Sequence, residues 1–466
     1  MKKISIVLLA LIFLIGCTQS PKKQEENQQK PLPFLKVSEN GRYLMDENGN
    51  PFFWLGDTGW LLFSKLTREE AGKYLDNRAE KGFNVIQVMV VHSLGLTNVY
   101  GDSALVNHDL SRPAVTKGNS FDNPEEYDFW DNVDYVINLA EKKGLYMALV
   151  PVWGSNVKSG AVSQKQADTY SKWLAKRYAN KSNIIWLNGG DTKGCDSTAT
   201  WNIIGENIHK IAKNHLETFH AFGRMSSADW FHNESWLDFN MFQSGHRRYE
   251  QDDTKRAYGQ DNYKYVRDEY AMSPAKPVID GEPSYEGIPQ GLHDPAEPFW
   301  NDNDVRRYAY WSVFAGAFGF TYGNNAVMQF FRPCDSVPAY GAKEYWPQAI
   351  NMPGAGQMHF LKNLMLSKPY FERVPDQSLI ADGQGEKYNY QIATRGKDYA
   401  MIYVYNGRDI HVAMGKISGK KVKASWFNPR SGEQTTIGEV ENTGVQKFNP
   451  PGKEKDGNDW VLVLES

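Results

Sequence analysis

Between residues 50 and 330 the chain alternates short, nearly continuous apolar runs with longer stretches whose apolar residues return every three or four positions. The runs read "PFFWLGDT" (51–58), "NVIQVMVV" (84–91), "LYMALVPVW" (145–153), "NIIWLNGGD" (183–191), "TFHAFG" (218–223), "LDFNMFQSG" (237–245), "PVIDGEP" (277–283) and "FGFTYG" (318–323). A run apolar at successive positions buries both faces, as parallel strands covered by helices do; a strand with one wet face would alternate. Between the runs, Thr67 and Glu70 have capping-box spacing and open one helix, and Trp130, Val133, Val136, Ile137 and Ala140 share a face of another near 124–143. Further helical patterns lie near 164–180, 200–214, 256–272 and 303–317, while the link between the fifth and sixth runs is short for a full helix. Eight strands alternating with helices predict an α/β fold, a (β/α)8 TIM barrel over residues 34–368, with a doubly wound sheet as the rival.

Past about residue 370 the texture changes. Short alternating runs such as "YNYQIATRG", "YAMIYVYNG" and "DWVLVLES" are broken by Gly, Asn and Pro. They predict a small all-β sandwich over 369–466, with "NPRSGE" as a hairpin turn. At the other end of the barrel, "VSENGRYLMDENGNPFF" reads as a hairpin leading into the first strand.

The first 33 residues follow different rules. Lys2 and Lys3 precede the apolar run "ISIVLLALIFLI", which is followed by Gly16 and Cys17. This predicts a secretion signal over residues 1–17, too short for a permanent membrane span. "LIGC" resembles the bacterial lipobox, which implies lipidation at Cys17, a chain anchored by lipid in the cell envelope, and no other membrane contact. Residues 18–33, "TQSPKKQEENQQKPLP", read as a flexible tether.

Composition narrows the chemistry. A formal net charge of -3 offers no basic field for nucleic acid. With no CxxC, HExxH or clustered histidines, no GxGxxG and no Walker loop, neither a metal nor a cofactor is expected, so side chains must supply the reaction. In the mature chain Cys195 and Cys334 are too few for a disulfide framework.

In a barrel of this class the site lies at the C-terminal ends of the strands. The residues expected there are Asp57 and Trp60, Gln87 and His92, Trp153, Asn188 and Asp191, Gln243 and His246, Glu282 with Tyr285 and Glu286, and Tyr322 with Asn324. The set is rich in carboxylates, amides and aromatics and poor in cations, which suits a neutral polyhydroxyl ligand better than a phosphate. Asp191 and Glu282 fall on opposite sides of the expected barrel. Glycosidic cleavage needs such a pair: one carboxyl protonates the leaving oxygen and the other attacks or stabilises the anomeric carbon. Gly189 and Gly190 let the backbone turn and bring Asp191 inward. Plainer roles stand beside these. "NGGD" also fits an ordinary turn, Asp57 a cap, and His92 and His246 structural hydrogen bonding. Glu282 fits a structural hydrogen bond too. Asp280, two residues earlier, should share its face and could be buried or compete as nucleophile, while Glu286 suits the rim.

Four blocks, "FFWLGDTGWLLFSKLTREEAGKYLDNRAEKGFNVIQV", "NIIWLNGGD", "PVIDGEPSYEGI" and "WFNPRSGE", resemble the apiosidase-like glycoside hydrolases, family 140, and the likeness runs from about residue 34 to the C-terminus. The C-terminal part resembles a module labelled collagen-binding. The resemblance implies Asp191 of "NGGD" as acid/base and Glu282 of "DGEP" as nucleophile of a retaining enzyme that removes apiose-linked sugars from the pectin rhamnogalacturonan II. The wider clan of retaining barrels carries Glu after Asn on the fourth strand, and the Asp after two glycines departs from it. On this reading Asp57, Gln87 and Gln243 hold sugar hydroxyls and Trp60 or Trp153 a ring face. The alternative is a non-catalytic carbohydrate- or matrix-binding surface lipoprotein, with the sandwich as binder.

Overall fold

A computed structural model describes residues 30–466, so the expected signal sequence, Cys17 and all but the last residues of the expected tether lie outside the described part. The chain is already packed at Leu32, which lies against the barrel core, and the Tyr146 hydroxyl donates to the Pro33 carbonyl at 2.6 Å. Strands β1 (Leu35–Val37), β2 (Leu44–Asp46) and β3 (Pro51–Phe52) then form an antiparallel sheet, the anticipated hairpin with one strand added.

The barrel strands are β4 (Trp54–Thr58), β5 (Val85–Val91), β6 (Tyr146–Val152), β7 (Ile184–Thr192), β8 (Glu217–Ala221), β9 (Asn240–Phe242), β10 (Val278–Asp280) and β11 (Gly319–Tyr322). All pairings are parallel, in the order β8-β7-β6-β5-β4-β11-β10-β9. The seam between β8 and β9 is drawn together by the Asp238 amide donating to the Glu217 carbonyl at 2.9 Å and by Thr218 Oγ1 donating to the Phe239 carbonyl. Nearly closed, the sheet is a TIM barrel and not a doubly wound sheet.

Strand alternation assigns each residue its layer. On β6, Tyr146, Ala148 and Val150 join the inner core while Met147 and Leu149 pack under the helices; on β7, Ile185 and Leu187 go in, Ile184 and Trp186 out. The helices bury the outward set. Thr67 caps helix Arg68–Glu80 in a complete box with Glu70, and Asp128 caps Phe129–Lys142, whose buried stripe includes Trp130, Val133, Ile137 and Ala140. The short fifth-to-sixth link holds a four-residue helix, Ala228–Phe231.

The C-terminal region forms one six-stranded antiparallel sheet from β12 (Val374–Pro375), β14 (Gln391–Arg395), β15 (Tyr399–Val404), β17 (Lys421–Phe427), β18 (Gln434–Glu441) and β20 (Trp460–Glu465). A three-stranded sheet, β13 (Ile380–Asp382), β16 (Ile410–Ala413) and β19 (Val445–Phe448), covers one of its faces. Its other face docks on the barrel. Ala400, Ile402 and Val404 of β15 enter the sandwich core, and Tyr399, Met401 and Tyr403 enter the barrel core. Both parities of β15 are therefore buried. Tyr403 stacks on Tyr310 of helix Asp302–Phe314 (4.7 Å, 18°), and Tyr390 on Tyr263 (4.0 Å, 6°). Between these stacks the Arg306 guanidinium meets the Asp459 carboxylate in two bonds, 2.9 and 3.1 Å, with both side chains fully buried. Cys195 and Cys334 are exposed and unpaired.

Candidate active site

A cavity of about 500 Å3 opens at the C-terminal end of the barrel, and both Asp191 and Glu282 line it. Asp191 arrives there by an irregularity of β7. The pairing with β8 runs in register to Gly189–His220 and resumes only at Thr192–Ala221, so Gly190 and Asp191 bulge out of the ladder. Gly189, Gly190 and Asp191 all have positive φ, 91°, 101° and 50°. Glycine is required at the first two for a second reason: a Cβ on Gly189 would stand 2.6 Å from the Phe219 ring, and one on Gly190 2.5 Å from Trp153. Asp191 tolerates the third as an Asx residue, and its left-handed backbone is local strain held in place by the barrel.

Glu282 lies beyond the strand, which ends at Asp280. It is 8% exposed and is flanked by two imidazoles: His246 Nε2 is 3.1 Å from Oε1, and His220 Nε2 3.1 Å from Oε2. The first is a well-directed hydrogen bond, while the second is a close contact at a poorer angle. The backbone sets the tautomers. The Tyr285 amide donates to His246 Nδ1 at 3.3 Å and the Asp191 amide to His220 Nδ1 at 3.4 Å. With each Nδ1 accepting, each Nε2 carries the proton and presents it to Glu282. Burial alone would raise the Glu282 pKa, but the two imidazoles outweigh it and hold the carboxyl well below the usual glutamate range.

Asp191 is pushed the other way, up to about 6, first by the protein packed around it and next by the Glu282 charge, with Gln243 and the histidines opposing. Its side chain still opens to the cavity, so it is crowded by protein yet reachable by water, as a proton donor at a cleft floor must be. Trp60 and Trp153 (5.4 Å, 59°) form one wall, with Trp60 edge-on to His220 at 5.3 Å.

Of the residues expected here, Trp60, Trp153, Asp191, Gln243, His246, Glu282 and Tyr285 share the cavity. The others do not. Asp57 faces the helix layer, fully buried, with Arg78 Nε at 2.8 Å and the Tyr74 hydroxyl donating to it at 2.5 Å. Asn188 lies on the outward parity of β7 and donates to the Trp201 carbonyl at 2.8 Å. Tyr322 also points outward and donates to Glu286 at 2.6 Å. Gln87 points inward but one layer too deep, donating to the Gly281 carbonyl at 2.9 Å; it positions the chain before Glu282. His92 does not line the cavity, although Asn156 is tied to its carbonyl at 3.0 Å. Glu286 is buried, not on the rim, and accepts from Gly354 N as well as Tyr322. Asp280 is buried too, bonded to Ser244 and Asn262 away from the cavity, and so does not compete with Glu282.

Arg224, Arg247 and Tyr340, which line the cavity, and His220, buried against Glu282, were missed. His220 sits in "TFHAFG" at the end of the fifth strand, where the rule that placed His246 would also have placed it. The two arginines correct the expectation of a site poor in cations. Arg224 is held by Asp252 and Asp253 at 3.5 and 3.3 Å.

Residues 38–372 match the model of an apiosidase-like catalytic domain, and 374–465 that of a collagen-binding domain of a collagenase. A solved structure described as a glycoside hydrolase is 50% identical, with a TM-score of 0.88, covering 93% of this chain and 97% of that one. A glycoside hydrolase family 5 structure from Bacteroides vulgatus ATCC 8482 is 46% identical, with a TM-score of 0.88 and 93% coverage of both. A third structure, at 13% identity with a TM-score of 0.64, shares the fold alone. No curated protein matches the chain. A TIM barrel with an acid and an ionised carboxylate in one cavity, matched by a family model over most of its length, places the chain in the apiosidase-like family of glycoside hydrolases.

Proposed function

We propose that the protein is a retaining glycosidase acting on side chains of pectin, at apiose-containing linkages of rhamnogalacturonan II, with Asp191 as acid/base and Glu282 as nucleophile. The observation that carries this reading is the opposite pull on two carboxyls in one cavity, Glu282 held ionised by the imidazoles beside it and Asp191 pushed toward protonation by crowding and the Glu282 charge. In the first step a Glu282 oxygen bonds to the anomeric carbon as the glycosidic bond breaks, and the Asp191 proton passes to the departing oxygen. In the second, Asp191 takes a proton from water, whose oxygen displaces Glu282 and releases the sugar. Pectin is built on galacturonate, and an acidic polymer suits a mouth that carries Arg224 and Arg247. The family match supports apiose as the sugar released.

Glu282→Gln should lower kcat on rhamnogalacturonan II fragments by on the order of 10^4-fold while the fragments still bind. Unchanged turnover would remove Glu282 from the mechanism. NMR of the first-formed product should show the anomeric configuration of the substrate; inversion would leave the two carboxyls in place and end the retaining reading.

The lipobox-like "LIGC" supports attachment to the envelope through Cys17. Labelled palmitate should enter the wild-type chain and not the Cys17→Ala variant.

A further inference from the structure

Tyr340 stands on the segment after the eighth barrel strand and lines the same cavity as Asp191 and Glu282. It is 37% exposed, the aromatic residue of that cavity most open to solvent, and its backbone is left-handed (φ 52°, ψ 33°). A bulky residue rarely keeps that conformation without cause. Here side-chain amides impose it. Gln329 accepts from the Ala339 amide at 2.7 Å and donates to the Ala339 carbonyl at 3.0 Å, so it clamps the preceding residue on both sides. Asn325 donates to the Tyr340 carbonyl at 2.9 Å and to the Gly287 carbonyl at 2.9 Å, tying this segment to the loop that follows Glu282. The backbone that carries the ring is thus fixed, while the residue stays partly exposed in the cavity. His293 lies beside it, 5.9 Å between centroids and tilted 43°, and lines the same cavity.

Trp60 and Trp153 already wall the cavity, and their neighbours are His220 and the Gly190 bulge. Tyr340 adds a second aromatic surface. Glu282 is 8% exposed where Tyr340 is 37%, so the ring lies toward the open part of the cavity, where a sugar beyond the one being cleaved would sit.

We propose that Tyr340, with His293, forms a stacking platform for a sugar of the bound oligosaccharide beyond the one at which cleavage occurs, and that Gln329 and Asn325 are its positioning residues. The ligand class is an oligosaccharide residue presenting an apolar ring face. The inference rests on the proposed roles of Asp191 and Glu282. A platform built on a strained, clamped backbone is pre-organised, so little ordering remains to be done when the sugar binds.

The test uses the full chain carrying Glu282→Gln, titrated calorimetrically with rhamnogalacturonan II oligosaccharides and, separately, with free apiose. Adding Tyr340→Ala should weaken the oligosaccharide roughly three- to tenfold and leave apiose within about twofold. Tyr340→Phe should keep most of the affinity, because the ring supplies the stacking. Gln329→Ala should weaken the oligosaccharide in part and raise KM rather than lower kcat when placed in the active enzyme, a split that general destabilisation would not produce. Equal oligosaccharide affinity with and without Tyr340→Ala would overturn the inference, and so would equal weakening of apiose. A wild-type enzyme that hydrolyses these oligosaccharides while Tyr340→Ala loses nothing overturns the platform alone. A wild-type enzyme inert to every fragment overturns the proposed function and the platform with it.

Discussion

Arg306, at the seam between barrel and sandwich, and Glu282, at the barrel mouth, are both buried charges, and their surroundings differ. Arg306 is saturated: Asp459 grips it in two bonds, and Asp302, Asn303 and Gln357 accept its remaining protons at 2.6–2.7 Å. Nothing is left for a ligand. Glu282 has two imidazoles on its oxygens but lies against an open cavity, and the Tyr285 hydroxyl and Gln243 Oε1 nearby have no protein partner. The seam uses polar groups to hold two layers together. The mouth leaves polar groups free to meet a ligand and carries strained backbone at Asp191 and Tyr340.

The comparison breaks most severely at the seam. Asp459→Ala should cost about 3 kcal/mol by leaving the buried Arg306 without its two-bond partner, with only the partly exposed Asp302 to balance its charge, read as a fall in Tm with kcat retained in the surviving folded fraction. By the same reasoning, deleting 369–466 should yield an aggregating barrel, since Tyr310, Trp311 and Phe314 would meet water. That outcome also counts against the sandwich as an independent binding module.

At the mouth the expected pattern reverses, with activity lost and stability kept. Gly190→Ala, whose new Cβ would press on Trp153, should lower kcat by roughly 10^2-fold by displacing Asp191, with a fall in Tm smaller than that of Asp459→Ala. His246→Ala should cost about tenfold in kcat/KM and raise the acid limb of the pH profile, since Glu282 loses its well-directed donor. On the proposed mechanism the working form has Asp191 protonated and Glu282 ionised. Activity should therefore fall as pH rises through about 6, with the acid limb far lower. An enzyme at full rate at pH 9 would contradict the assignment.

The smallest effect lies in neither region. Glu269 is buried, neither of its oxygens has a partner, and burial raises its pKa to about 8. A carboxyl raised on folding contributes its stability below the unfolded pKa and loses it as pH rises through the folded value. Tm should sag between about pH 5 and 8, and Glu269→Gln should flatten that slope by a few degrees at most.

Much of the barrel was legible in the chain. Runs such as "NVIQVMVV" carry double burial in their composition, and Thr67 with Glu70 announces a helix start that the structure keeps. The candidate site was legible only in part. Asp57, Asn188 and Tyr322 belong to strand ends as expected, yet each faces the helices, because side chains alternate and a strand end does not say which parity reaches the mouth. Gln87 has the inward parity and misses by depth.

The pattern along the chain was enough for eight doubly buried strands, a second β region and two carboxylates at strand ends, because these depend on burial preferences and on positions near one another in sequence. It could not say that Gly190 and Asp191 would leave the β7 ladder, that His220 and His246 would converge on Glu282, or that both faces of β15 would be buried. Each depends on pairing between segments far apart in the chain, where a shift of one residue exchanges a side chain that faces the cavity for one that faces a helix.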